Sequence, residues 1–161
     1  MSFQGPLRPY SNTVLSWLSS YEQVDTRYPI LVLHGASRLG KTELAKHIKG
    51  AAATLVVDCE GALYPDLRAF DPKKHQAVIC DEICGPSFVL GNKKVLQQHV
   101  DGARLGQSPT QRDAYEVFLW RTPVMVTTNH WDTHALTQQD AEWLLKNCFV
   151  EKVLNPVWAS A

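Results

Sequence analysis

Eight consecutive residues in the first third of the chain combine the residue types that bind phosphate. The stretch GASRLGKT, residues 35–42, fits the pattern G-x-x-x-x-G-K-[ST] at every fixed position. In such a loop the backbone N–H groups converge on phosphate oxygens, Lys41 reaches the outer phosphates, and the Thr42 hydroxyl holds Mg²⁺. The predicted phosphate-binding residues are Gly35, Ala36, Ser37, Arg38, Leu39, Gly40, Lys41 and Thr42.

The sequence on either side of this loop predicts a strand before it and a helix after it. Residues 30–33, ILVL, form a short apolar run that is typical of a buried parallel strand. Apolar residues then recur at helical spacing after Thr42, and the positive end of that helix would face the loop. This context predicts binding of a nucleoside triphosphate, with Lys41 as a solvent-facing charge.

A second buried stretch ends in two adjacent carboxylates. Residues 77–80, AVIC, are apolar and are followed directly by Asp81 and Glu82. Beside a phosphate loop, Asp81 would bind Mg²⁺ together with Thr42, and Glu82 would orient and deprotonate the attacking water. Thr42 and Asp81 are therefore the predicted metal ligands, and Glu82 is the predicted general base.

Asn129 follows a third apolar run, PVMVTT at residues 123–128. Ligands of doubly wound sheets bind where the strands end, which would place this side chain near the terminal phosphate. An amide can both donate to phosphate and position a water, although an Asn that only caps a turn is the alternative. Lys41, Glu82 and Asn129 are the predicted catalytic residues.

The rest of the pattern predicts one α/β domain. Apolar runs at 54–58 and 149–154 bring the number of strands to five, in a mainly parallel sheet with helices on both faces. We assign residues 1–161 to a single P-loop domain, with a helical lead-in at 1–28 and a core at 29–154.

Capping residues and periodicity locate the helices and one hairpin. Ser11 or Asn12 is predicted to begin the first helix, Asn92 to cap a helix over residues 93–100, and Thr137 to begin a helix that runs to about Lys146. A short helix is predicted within 59–75. The period-two pattern in the segment 103–121 predicts a β-hairpin that turns near Ser108 and Pro109.

Charge and composition restrict the partners. The 16 Lys and Arg balance the 16 Asp and Glu, so a broadly basic surface for nucleic acid or membrane is absent and any such contact depends on a local patch. No apolar run approaches the roughly 20 residues of a membrane span, and no signal peptide is visible. The four cysteines show no paired C-x-x-C spacing, which favours reduced thiols in a soluble intracellular protein.

The order of these features resembles the superfamily 3 helicase domain, above all the ATPase half of replication initiator (Rep) proteins of small circular single-stranded DNA viruses. GASRLGKT is similar to their motif A, and FDPKKHQAVICDEI to the run into motif B. VDGARLGQSPTQRDAYEVFLWRTPVMVTTN is similar to the segment that ends on the sensor residue, here Asn129. The similarity covers residues 29–129.

This resemblance implies an AAA+-like fold and Mg-ATP hydrolysis between the subunits of a homo-oligomeric ring, a hexamer. It also implies movement along single-stranded DNA, in the nucleus or cytoplasm of a host cell. The family projects its channel hairpins from the interval between the Asp-Glu strand and the Asn strand. The basic residues of that interval are the predicted DNA contacts: Lys93, Lys94, Arg104 and Arg112.

The chain departs from the Rep pattern in two respects. It has no His-hydrophobic-His pair and no Tyr-x-x-Lys, so DNA nicking and joining are not expected. No Arg follows Asn129, where related ring helicases place the residue that reaches into a neighbouring site. Lys146 or Lys152 could substitute for it.

Three other functions remain open on the residues alone. TNHWD at 128–132 resembles the guanine-reading N-K-x-D of a GTP switch, but His130 replaces the lysine, and Asp81 and Gly85 are one residue too far apart to form D-x-x-G. A small-molecule P-loop kinase is disfavoured by the Asp-Glu pair and by the scarcity of Arg after Arg121. The third is a nucleotide-gated interaction module that no longer hydrolyses its ligand.

Overall fold

Five of the seven strands in the described part of the chain form one parallel sheet. The computed structural model describes residues 6–22, 27–106 and 114–158. The strands are β1 (Ile30–His34), β2 (Thr54–Asp58), β3 (Ala77–Asp81), β4 (Ala103–Leu105), β5 (Tyr115–Val117), β6 (Val124–Thr128) and β7 (Cys148–Lys152). The sheet has the order β2-β3-β6-β1-β7, and all four of its pairings are parallel. The predicted five-stranded parallel sheet is confirmed.

Five helices surround this sheet in the described part of the chain. They are α1 (Asn12–Ser19), α2 (Lys41–Lys49), α3 (Pro86–Gly91), α4 (Lys93–Leu96) and α5 (Gln138–Asn147). α1 begins as predicted because the Ser11 hydroxyl accepts the Val14 N–H at 3.2 Å. α5 likewise begins after Thr137, whose hydroxyl accepts the Asp140 N–H at 3.1 Å. None of these helices has the length and apolar character of a membrane span.

The core lies on both faces of the sheet because successive strand residues point to opposite sides. One cluster joins strand residues to α3, α4 and α5: Ile30, Val32, Val78, Cys80, Val126, Phe88, Leu96 and Leu144. The other joins them to α1 and α2: Leu31, Leu33, Ile79, Met125, Val14, Trp17 and Ala45. Burial of each large apolar side chain stabilises the fold by about 1.5–3 kcal/mol before the entropy of ordering the chain is subtracted.

The segment between β2 and β3 contains no helix, so the prediction of a short one there is wrong. Three aspartates explain the difference. The side chains of Asp58, Asp66 and Asp71 each accept the backbone N–H two residues further on, at 3.0, 3.2 and 2.9 Å. Such local side-chain bonds stabilise turns in competition with a helix.

The predicted helix over residues 93–100 is also wrong in its length, since α4 ends at Leu96. Gln98 lies in the left-handed region with φ 54°. Asn92 occupies the N-cap position of α4 as predicted, but its side chain makes no capping bond; the amide donates to the carbonyls of Phe88 at 2.7 Å and Leu63 at 2.9 Å. α3, which was not predicted, begins with Pro86, a residue favoured at the first helical position.

β4 and β5 confirm the predicted hairpin, since they pair antiparallel with Arg104 opposite Glu116. β5 ends at Val117, earlier than the alternating pattern predicted. The predicted turn at Ser108 and Pro109 lies outside the described residues, as does Arg112.

Residues 153–158, which we name the C-terminal segment, pack against the outside of the loop after β1. The Val153 N–H donates to the His34 carbonyl at 2.7 Å, and the Val157 N–H donates to the Leu39 carbonyl at 3.0 Å. The side chains of Val157 and Trp158 form a small apolar cluster with Leu39. Backbone hydrogen bonds and apolar contacts therefore support the loop from its outer side.

Gly35 is expected to tolerate no side chain. Its φ is 149°, and an added Cβ would overlap the backbone oxygen of Val153. Gly35→Ala should lower the free energy of unfolding by about 2–4 kcal/mol, from backbone strain together with steric overlap. Urea denaturation measures this loss. Gly61→Ala is the matched control, since Gly61 has φ 71° with nothing within 4 Å of an added Cβ; an equal loss in both variants would contradict the steric explanation.

Candidate functional site

The polar residues predicted from the sequence lie together at the carboxyl edge of the sheet. β6 lies between β1 and β3, so Asn129 is placed between the glycine loop and the two acids. A cavity of about 300 Å³ opens at this edge. The predicted residues that line it are Ser37, Arg38, Gly40, Lys41, Thr42, Glu82 and Asn129.

The glycine loop has a backbone conformation that its sequence explains. Gly40 has φ 87° and directly precedes α2, and its carbonyl accepts the Leu44 N–H at 2.8 Å. A Cβ at Gly40 would lie 2.5 Å from the Trp158 ring and 2.6 Å from the Val157 side chain, so the loop and the C-terminal segment approach more closely than any larger residue allows. Leu39 faces that segment rather than the cavity.

Lys41 is buried beneath the loop, with 8% of its surface exposed, so the prediction of a solvent-facing lysine is wrong. Its ammonium donates to the carbonyls of Gly35 at 3.0 Å and Ala36 at 2.7 Å, and to Oδ1 of Asn129 at 2.9 Å. Burial lowers the pKa of Lys41, and the charge of Asp81 partly opposes that effect. The side chain is therefore fixed at the centre of the site.

Thr42 and Asp81 are in direct contact, as expected of two residues that share a metal ion. The Thr42 hydroxyl donates to Oδ1 of Asp81 at 2.7 Å. A hydroxyl and a carboxylate are hard oxygen donors of the kind that Mg²⁺ prefers, so the residues present fit this ion.

Thr127, which was not among the predicted site residues, lies between the two acids. Its hydroxyl donates to Oδ1 of Asp81 at 2.5 Å and accepts the Glu82 N–H at 2.9 Å. The residue is 1% exposed. The sequence feature that points to a polar role here is the pair of hydroxyl side chains, Thr127 and Thr128, at the end of an otherwise apolar strand.

Glu82 lies at the mouth of the cavity with an exposed side chain and a left-handed φ of 57°. A positive φ is uncommon for a residue other than glycine and is found preferentially at functional sites. The negative charge of Asp81, followed by that of Glu60, raises the pKa of Glu82. The carboxylates of Glu82, Glu60 and Asp58 lie within 4.8 Å of one another, all exposed. Glu82 therefore has the higher proton affinity that suits a general base.

Three of the four predicted DNA contacts are described, and they lie away from this cavity. Lys93, Lys94 and Arg104 line a second cavity of about 500 Å³ between α4 and β4. Tyr64, which is 44% exposed, also lines it. The Lys93 ammonium lies 4.7 Å from the centre of the Trp143 ring, a cation–π contact. Three of the four basic residues are thus close together, and Arg112 lies outside the described residues.

No protein-family model matches this chain, and no curated protein matches its sequence. The resemblance to superfamily 3 helicases therefore depends on the motifs quoted above and on their order along the chain.

Proposed function

We propose that this protein binds Mg-ATP and hydrolyses it, as a superfamily 3-type ATPase domain that acts on single-stranded DNA. The observation that supports hydrolysis most directly is the convergence of three strand ends on one cavity. Lys41 contacts Asn129 at 2.9 Å, and Thr42 contacts Asp81 at 2.7 Å. Glu82 is exposed at the mouth of the same cavity.

Each residue has a role that follows from its chemistry. The Lys41 ammonium neutralises charge on the outer phosphates, and the loop N–H groups bind their oxygens. Thr42 and Asp81 would hold Mg²⁺, which supplies further positive charge at the phosphates. Glu82 accepts a proton from the attacking water, and the Asn129 amide orients that water or the terminal phosphate.

The DNA part of the proposal depends on a local basic patch, because the chain has no net charge. Lys93, Lys94 and Arg104 supply positive charge around the second cavity, and Tyr64 supplies an aromatic surface on which a base could stack. A few such contacts in one subunit bind DNA weakly. Binding becomes tight only when the subunits of a ring repeat these contacts along one DNA strand.

Steady-state ATP hydrolysis with and without single-stranded DNA tests the proposed function. We expect hydrolysis that requires Mg²⁺ and increases when DNA is added. Mg-ATP binding without hydrolysis under any condition would instead favour a nucleotide-gated interaction module. Binding of GTP in preference to ATP would favour a switch.

Asn129→Ala is expected to reduce the rate of ATP hydrolysis by about 10–100-fold, the usual effect of losing a residue that orients a catalytic group. Nucleotide affinity should change little, because Lys41 keeps two carbonyl contacts in the loop. Hydrolysis rates and fluorescent nucleotide titrations measure the two effects. Asn12→Ala, at an exposed Asn of α1 that does not line the cavity, is the control. A loss of binding equal to the loss of rate would contradict the proposed role of Asn129.

Lys94→Ala combined with Arg104→Ala is expected to weaken the binding of a fluorescent single-stranded oligonucleotide and to make its salt dependence shallower. Each phosphate contact that is lost reduces the slope of log K against log salt by about 0.7. A non-hydrolysable ATP analogue should strengthen binding in the wild type. Lys73→Ala with Lys74→Ala removes two exposed charges away from this cavity and serves as the control. DNA binding that is equal in both double variants would disprove the assignment of this cavity.

A further inference from the structure

We propose that Thr127 is a positioning residue that holds Asp81 and Glu82 in the arrangement needed for hydrolysis. This inference rests on the proposed ATPase function and assigns a role to a residue that the phosphate-loop and acid motifs leave out. It follows from the contacts that Thr127 makes at the end of β6.

All five residues of β6 are buried, and Thr127 is 1% exposed. A hydroxyl in such a position requires hydrogen-bond partners, and here it has both a donor and an acceptor contact. It donates to Oδ1 of Asp81 at 2.5 Å and accepts the N–H of Glu82 at 2.9 Å. The backbone carbonyl of Thr127 also accepts the Ile83 N–H at 2.9 Å. One residue of β6 therefore contacts three consecutive residues at the end of β3.

These contacts determine the orientation of both acids. Asp81 accepts hydroxyl hydrogens from Thr42 and Thr127 at the same oxygen, which restricts rotation of its carboxylate. Glu82 has a left-handed φ of 57°, and its N–H is held by the Thr127 hydroxyl. Because that hydroxyl has a single proton and donates it to Asp81, Thr127 acts through the two acids rather than by donating to a ligand.

Thr128 provides a comparison within the same strand. It is equally buried, but its hydroxyl donates to the Ile83 carbonyl at 2.8 Å and accepts the His130 N–H at 3.1 Å. Both of these partners are backbone groups. The direct contact with a carboxylate therefore distinguishes Thr127 from its neighbour.

Two substitutions at Thr127 separate the effect of losing the hydroxyl from the effect of losing the methyl group. Thr127→Val keeps the shape of the side chain and removes the hydroxyl, and Thr127→Ser keeps the hydroxyl. Thr54→Val is the matched control, because Thr54 is buried and donates to the Gly50 carbonyl at 2.7 Å in a part of the chain that does not line the cavity. Circular dichroism establishes that each variant is folded, and Thr127→Ala replaces the valine variant if the latter does not fold.

Two measurements are made on these variants. In steady-state kinetics, we expect Thr127→Val to lower kcat about 10–100-fold with KM for ATP nearly unchanged, as is usual when the partner of a catalytic group is removed. In binding of a fluorescent non-hydrolysable ATP analogue, the valine variant should require about 10-fold more Mg²⁺ than the wild type. Thr127→Ser and Thr54→Val should remain close to the wild type in both.

The outcomes distinguish this inference from the proposed function. If the wild-type protein does not hydrolyse ATP, both the proposed function and this inference are wrong. A wild type that hydrolyses ATP together with a valine variant of equal kcat and Mg²⁺ requirement overturns the role of Thr127 alone. A serine variant as slow as the valine variant also overturns it, because packing of the methyl group would then explain the loss.

Discussion

Lys41→Ala is expected to lower kcat/KM for ATP hydrolysis by at least ~10²-fold, because it removes a fixed positive charge from the point where negative charge develops on the phosphates. The affinity for ATP should fall as well, since the ammonium also stabilises bound nucleotide. Steady-state hydrolysis and fluorescent nucleotide titration measure both effects. Unchanged turnover would remove the phosphate-loop interpretation.

The same variant has a structural cost that the experiment must separate from the catalytic one. Lys41 donates three hydrogen bonds within the site; a bond from a charged donor contributes about 1.5–3 kcal/mol to stability, and the variant recovers part of this because it no longer buries a charge. A modest decrease in Tm is therefore expected, and circular dichroism should show that the variant is folded at the assay temperature. Lys49→Ala, at an exposed lysine on the last turn of α2, is the matched control and should retain full activity.

The second large effect is expected for substitutions of Asp81 and Glu82, which should impair different steps: metal-dependent nucleotide binding and hydrolysis. Glu82→Gln keeps the shape of the side chain and removes the base, so hydrolysis should fall by about 10²–10⁴-fold while Mg-ATP stays bound. Asp81→Asn keeps an oxygen for the hydroxyls of Thr42 and Thr127 but removes the charge, so nucleotide binding should lose its dependence on Mg²⁺. Nucleotide titrations with and without Mg²⁺, together with hydrolysis rates, separate the two results.

Glu60→Gln is the control for the acid variants, since Glu60 is an exposed carboxylate near Glu82 that does not line the cavity. Its removal takes away a charge that raises the pKa of Glu82 less than Asp81 does, so hydrolysis should continue at a rate close to that of the wild type. If Glu82→Gln and Asp81→Asn lose nucleotide equally, the two acids do not have separate roles. If Glu60→Gln is as slow as Glu82→Gln, the general base has been assigned to the wrong residue.

The sheet could be predicted from the sequence because its strands are short and almost wholly apolar. The run over residues 30–33 and the run before Asp81 both proved to be central strands, buried on both sides. Parallel strands place their carboxyl ends at one edge, so a polar residue that directly follows such a run can be assigned to that edge. For this reason the proximity of Lys41, Asp81 and Asn129 followed from their positions in the sequence alone.

Other features of the structure could not be predicted because they depend on individual contacts, which the spacing of apolar residues in the sequence does not indicate. The segment after β2 forms turns because Asp66 and Asp71 bind nearby backbone N–H groups, although its apolar residues are spaced as in a helix. The burial of Lys41 depends on carbonyl groups that the loop turns inward. Thr127 could not be distinguished from Thr128 in the sequence because its partners lie more than forty residues earlier in the chain, at the end of another strand.

The C-terminal segment has a consequence for how the protein is made. The loop leaves the ribosome about 120 residues before Trp158, which packs against it, so this contact forms only after the other site residues have been synthesised. A nascent chain, or one cut before Val153, would carry every residue with a proposed catalytic role and still lack the support on the outer side of its loop. If the proposed nucleotide site requires this support, ATP should stabilise chains that contain the C-terminal segment and should stabilise chains cut before Val153 much less.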